Sequence, residues 1–165
     1  MFAGEILTFH LRGTNMKAAL LVAMAVGMGV PRQDDAVKKE LAKFQGEWIV
    51  AGAEKGGKKL SEDDRKKLSK FFLTKVVVTD DKWNCWISED GAEAKEGTPQ
   101  DLTLDPSKSP KRMMFGPNPA IYEVDGDTLK VCCNGDFSKE ESDVPTSFDT
   151  SKNENWYCFI LKKKK

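Results

Sequence analysis

Two apolar runs, Ala120–Val124 and Thr128–Cys133, are separated only by Asp125-Gly126-Asp127. An Asp-Gly turn between apolar runs supplies the positive φ angles of a tight antiparallel hairpin. That junction excludes a crossover helix at this point. The rest of the body follows the same rhythm. Strands are predicted over about 46–51, 71–79, 82–88, 102–104, 112–115, 120–124, 128–133 and 156–161. Gly56-Gly57, Asp80-Asp81, Glu89-Asp90-Gly91 and Asp105-Pro106 punctuate them. In the third run Trp83, Cys85 and Ile87 alternate with Asn84, Trp86 and Ser88, the pattern of a sheet with one face buried. Eight short strands at near-regular spacing predict an all-β sandwich or barrel, of which an eight-stranded antiparallel barrel is the physically attractive form. Closure removes the unpaired edges that invite aggregation. Asn134–Asn155 reads as a long polar loop with a fragment of structure near Thr146–Phe148.

Two helices are expected beside the strands. Residues 34–43 form a short N-terminal helix, with Asp34 and Asp35 at its positive end. Val37, Leu41 and Phe44 make one apolar stripe that needs a surface to dock on. Ser61-Glu62-Asp63-Asp64 resembles a capping box leading a brief helix. The barrel domain is predicted over 44–165. Residues 1–33 read as a removable signal peptide with a pre-extension. Lys17 precedes thirteen uncharged residues, Ala18–Val30, closed by small side chains. That length suits a signal-peptide core and is too short to span a membrane. Met16 is an alternative start. The expected location is exported, periplasmic or extracellular, with no membrane span in the mature form.

At Phe44-Gln45-Gly46-Glu47-Trp48 the chain resembles the Gly-x-Trp opening of lipocalin-like barrels. Two further stretches, Leu104–Lys111 and Ile121–Cys132, extend the resemblance. All three match, in order, a functionally uncharacterised family of exported lipocalin-like domains expanded in Planctomycetes. The resemblance covers about residues 34–165. It implies an up-and-down barrel of the lipocalin type and no particular activity. The family carries Arg-Pro-Thr-x-Phe in its late loop, where this chain has Val144-Pro145-Thr146-Ser147-Phe148.

Composition narrows the chemistry. The chain has one histidine, His10, inside the segment expected to be removed. Without it, Ser-His-Asp triads, Cys-His pairs and histidine-bound metals are ruled out. Removing residues 1–33 takes away Arg12, Lys17, Arg32 and Glu5, leaving 23 basic and 25 acidic residues, a net charge of −2. Such a body has no field for drawing in nucleic acid. No catalytic residue, cofactor or metal site is assigned. The candidate partners are a small apolar ligand in the barrel and a protein of the cell envelope. Trp48, Trp83, Tyr122 and Trp156 are the candidate ligand-binding residues, since aromatics give apolar area with one polar handle. Each also reads as barrel filling, because small barrels are commonly packed solid. The alternatives to ligand binding are an envelope interaction module with a filled barrel, or a histidine-free carboxylate enzyme. Export also makes Cys85, Cys132, Cys133 and Cys158 disulfide candidates. Cys132 and Cys133 should face opposite sides of their strand. One is expected to pair with Cys158 and the other with Cys85.

Overall fold

The computed structural model describes residues 33–68, 71–89, 92–135 and 144–165. The signal-peptide expectation, apart from Gln33, lies outside these residues. In chain order the elements are α1 (Gln33–Phe44), β1 (Gly46–Lys55), β2 (Lys58–Leu60), α2 (Glu62–Leu68), β3 (Phe71–Thr79), β4 (Lys82–Glu89), β5 (Lys95–Glu96), β6 (Gln100–Asp105), β7 (Lys111–Phe115), β8 (Asn118–Asp125), β9 (Thr128–Asn134), a 3₁₀ turn (Thr150–Lys152) and β10 (Trp156–Lys163). Strands β1, β3, β4, β6, β7, β8, β9 and β10 pair antiparallel in that order. β10 then pairs back onto β1, closing an eight-stranded barrel. This is the predicted lipocalin-like all-β architecture, with the predicted helix ahead of it. No helix among the described residues is long and apolar enough to cross a membrane.

β2 and β5 are additions that the periodicity did not announce. Both sit where the barrel wall splays. β1 pairs with β3 only over Gly46–Ile49, and β2 then takes up β1 at Ala53–Lys55. β4 pairs with β6 only at Lys82 and Trp83, and β5 then takes up β4 at Trp86 and Ile87. Two bulges accompany the splay. The register slips between Val50 and Gly52 in β1 and between Leu73 and Lys75 in β3. A bulge bends its strand and moves the following side chains to the other face. Buried positions therefore run Trp48, Val50, then Ala53. In β3, Leu73 is followed by Val76 and Val78 as the inward positions.

One barrel end is filled from α1. The predicted stripe is in place: Phe44 is fully buried, and Val37 and Leu41 pack against the same core. Phe44 meets Tyr122 edge-on, with ring centroids 5.0 Å apart. The Trp48 indole N–H donates to the Phe44 carbonyl at 2.6 Å, satisfying an orphan acceptor at the helix end. Burying a side chain the size of Phe44 stabilises by about 1.5–3 kcal/mol. Gln45 ties the helix end to the β3–β4 turn, accepting from Asp80 N–H (2.8 Å) and donating to Asp80 O (2.9 Å). Below lie Val76, Val78, Leu102, Leu104, Met113 and Leu129, all buried. On α1 itself, Glu40 is 5 % exposed and accepts from Lys43 at 2.6 Å and from Lys111 of β7 at 2.5 Å.

The late loop covers the outer wall. Val144, and Phe148 at its edge, pack against Ile121, Cys132, Trp156 and Cys158 on β8–β10. Thr150, fully buried, donates to Glu54 (2.6 Å) and accepts from Gly57 N–H (2.8 Å). Gly57 has φ +77°, and a Cβ there would lie 2.8 Å from that of Ser151. Only glycine fits this seam without movement.

Burial raises the Glu40 pKa, but the hydrogen bonds from Lys111 and Lys43 outweigh it and hold the carboxyl below its ordinary value. A depressed folded-state pKa stabilises at neutral pH, and that stabilisation is lost as pH falls through it. Both lysines are partly exposed, so the effect is discounted for solvent screening. Glu40→Gln is expected to lower urea-unfolding stability by about 1–2 kcal/mol at pH 7. The difference should shrink towards zero at pH 2, where the native carboxyl is protonated.

Candidate functional site

The barrel half away from α1 is hollow. A cavity of about 500 Å³ lies there. Its wall is mostly apolar: Leu73 from β3, Trp83 and Ile87 from β4, Phe115 from β7, Val131 from β9, and Phe159 and Leu161 from β10. Trp83 stacks on Phe115 at 5.6 Å. Tyr157 stacks along Phe159 at 6.3 Å, with Lys55 over its ring at 4.7 Å. The patched seams supply the rest of its wall. Leu60 of β2 and Arg65 of α2 stand at one seam, and Gly97 and Thr98, after β5, at the other.

Local chemistry holds these pieces in position. The predicted capping box forms: Asp64 N–H donates to Ser61 Oγ at 3.1 Å and Ser61 Oγ donates to Asp64 at 2.6 Å. It starts α2 and so sets Arg65, whose backbone N–H donates to the Ser61 carbonyl at 2.9 Å. Gly97 N–H donates to the Cys85 carbonyl at 2.7 Å, fixing the second seam. Gly116 has φ +58°, and a Cβ there would lie 2.8 Å from Gln100 Oε1. This glycine leaves the room in which the Gln100 amide sits. Asn118 Nδ2 donates to the Phe115 carbonyl at 3.2 Å. The remaining polar groups on the cavity wall, Thr98, Gln100 and Asn118, are uncharged, and no Asp or Glu is among the described residues that line it.

Of the four aromatic candidates, Trp83 alone lines the cavity. Trp48 and Tyr122 fill the α1 end, where burial, with the nearby Glu40 charge, pushes the Tyr122 pKa far up. Trp156 points outward into the cluster under the late loop, because Tyr157, Phe159 and Leu161 take the inward positions of β10. Both sets of alternating β10 residues are apolar, so parity did not select between them. Tyr157, Phe159 and Leu161 carry no separate signal for that reason, and Phe115 and Val131 join them on the cavity wall from β7 and β9. Val144, where the resembled family has arginine, is buried on the outer wall and does not reach the cavity.

All four cysteines are thiols in the structure. As expected, Cys132 and Cys133 face opposite ways: Cys133 lines the cavity and Cys132 joins the outer cluster. The expected bridge to Cys85 is corrected by position. Cys85 also lines the cavity, but β4 and β9 are four strands apart in either direction around the ring. Burial pushes the Cys85 thiol up to about 11, against a smaller lowering from the Trp83 indole N–H, which donates to its sulfur at 3.0 Å. Burial likewise pushes Cys133 up to about 12.

No family model, curated protein or solved structure matches the chain. The site's meaning therefore rests on its geometry.

A raised pKa leaves almost no thiolate at neutral pH, and thiolate is the reactive form. Native protein at pH 7.5 is expected to resist iodoacetamide at Cys85 and Cys133, while both label in guanidinium. Peptide mapping by mass spectrometry checks this; rapid native labelling of Cys85 would contradict the placement of its thiol.

Proposed function

We propose that this chain is an exported lipocalin-like binding protein that holds one small, uncharged, mainly apolar molecule in its barrel. The observation that carries the reading is the division of the interior. Aromatic side chains pack one end solid, and an apolar cavity of about 500 Å³ occupies the other. That volume falls within the roughly 300–1,000 Å³ of small-molecule sites, which combine apolar walls with a few placed polar groups. The uncharged amides of Gln100 and Asn118 fit a hydroxyl or amide on the ligand. An ionised ligand would give up its hydration to a wall that is mostly apolar. Export is supported by the leader pattern of residues 18–30.

Titration with the neutral fluorophore N-phenyl-1-naphthylamine tests the reading. Saturable one-to-one binding is expected. Val131→Phe should weaken it by about tenfold or more by occupying the cavity. 1-Decanol should displace the probe about tenfold more effectively than decanoate, given the cost of burying the charge. Trp83→Phe should remove most of the ligand-induced change in tryptophan emission, and Trp156→Phe should leave it. Folded protein with no saturable binding would contradict the proposal.

A further inference from the structure

Cys132 and Cys158 stand directly opposite each other on β9 and β10. The flanking hydrogen bonds reveal which kind of pair they make. Gly135 N–H donates to Asn155 O at 2.7 Å, and Lys163 N–H donates to Asp127 O at 2.9 Å. Both bonds keep the register of the Cys132–Cys158 pair, with no slip between them. Gly135 and Asp127 are each an odd number of residues from Cys132. Hydrogen-bonded and non-hydrogen-bonded pairs alternate along an antiparallel ladder. Cys132–Cys158 is therefore a non-hydrogen-bonded pair. Such pairs hold their Cα atoms about 4.5 Å apart, inside the roughly 4.4–6.8 Å that a disulfide spans. Both side chains leave the same face and are buried in the same outer cluster.

The other pairings are closed by topology. Cys133 points to the opposite face of β9 from Cys132. Cys85 lies on β4, four strands from β9 in either direction around the ring, farther than a bridge reaches when neighbouring strands are about 4.8 Å apart. Cys158 points away from the interior that Cys85 lines. We propose that Cys132 and Cys158 form the single disulfide this fold permits, and that Cys85 and Cys133 remain thiols facing the cavity. The inference does not depend on what the cavity binds.

The oxidant required is a small-molecule or protein disulfide, as an oxidising compartment supplies. Cys158 is the first nucleophile. It is the more exposed of the pair, 6 % against 0 %. A hydrogen bond from the Cys132 thiol also lowers its pKa. Its thiolate attacks the external disulfide, breaking that S–S bond and releasing one thiol. Cys132 then gives its proton to solvent and attacks Cys158 Sγ, releasing the second external thiol. Two protein S–H bonds and one external S–S bond are replaced by one protein S–S bond and two external thiols. The bridge would join β9 to β10 beneath Val144 and Phe148.

The test incubates the full chain with oxidised glutathione, quenches it with acid and alkylates it in guanidinium. The expected product is lighter than the reduced protein by two hydrogens before alkylation. It takes two alkyl groups, on Cys85 and Cys133, and a tryptic peptide containing Cys132 is linked to one containing Cys158. Cys158→Ser should abolish the bridge, and the double variant Cys85→Ser/Cys133→Ser should retain it. Circular dichroism confirms that each variant is folded. Four alkylated cysteines, a bridge to Cys85 or Cys133, or glutathione adducts alone would overturn the proposal.

Discussion

The indole N–H of Trp48, bonded to the Phe44 carbonyl at 2.6 Å, fixes how α1 enters the barrel. That helix end brings Phe44 onto Tyr122 and places Glu40 between Lys43 and Lys111. The three aromatic residues and the aliphatic layer below them close one end of the interior. Without this plug the barrel would be open at the α1 end. With it, stability is concentrated at one end, and the other end is free to remain hollow.

The hollow half follows from strand pairing. Eight strands enclose just enough space to be filled by side chains or to hold one small ligand. Here the β3–β4 hairpin leaves its neighbours after a few residues on either flank, and β2, α2 and β5 bridge the resulting seams. The wall is thereby widened where the cavity lies. The same arrangement brings uncharged amides to its edge. Gln100 begins β6 at one seam, and Asn118 begins β8 after the Gly116 turn. Fold and proposed specificity thus share a cause, the early parting of strands at one end.

Much of the framework was legible in the residues. Asp125-Gly126 fixed the β8–β9 hairpin, the Val37–Leu41–Phe44 stripe marked the docking face of α1, and Ser61–Asp64 marked the start of α2. The split orientation of Cys132 and Cys133 followed from strand parity alone. The site was less legible, for identifiable reasons. Bulges at Ala51 and Thr74 change which residues face inward partway along β1 and β3, and no local signal announces the slip. β10 is apolar on both faces because the late loop buries its outer side, so Trp156 was as plausible a cavity residue as Tyr157. Trp48 and Tyr122 are aromatic and buried, as a pocket residue would be. Only their position under α1 distinguishes plug from pocket.

The central claim is that the barrel is solid beneath α1 and hollow beyond Trp83. Xenon enters dry apolar cavities and not packed cores. A crystal held under xenon pressure is expected to show the gas bounded by Trp83, Phe115, Val131 and Leu161, with none beside Trp48 or Tyr122. An interior without xenon, or xenon bound beneath α1, would contradict the account.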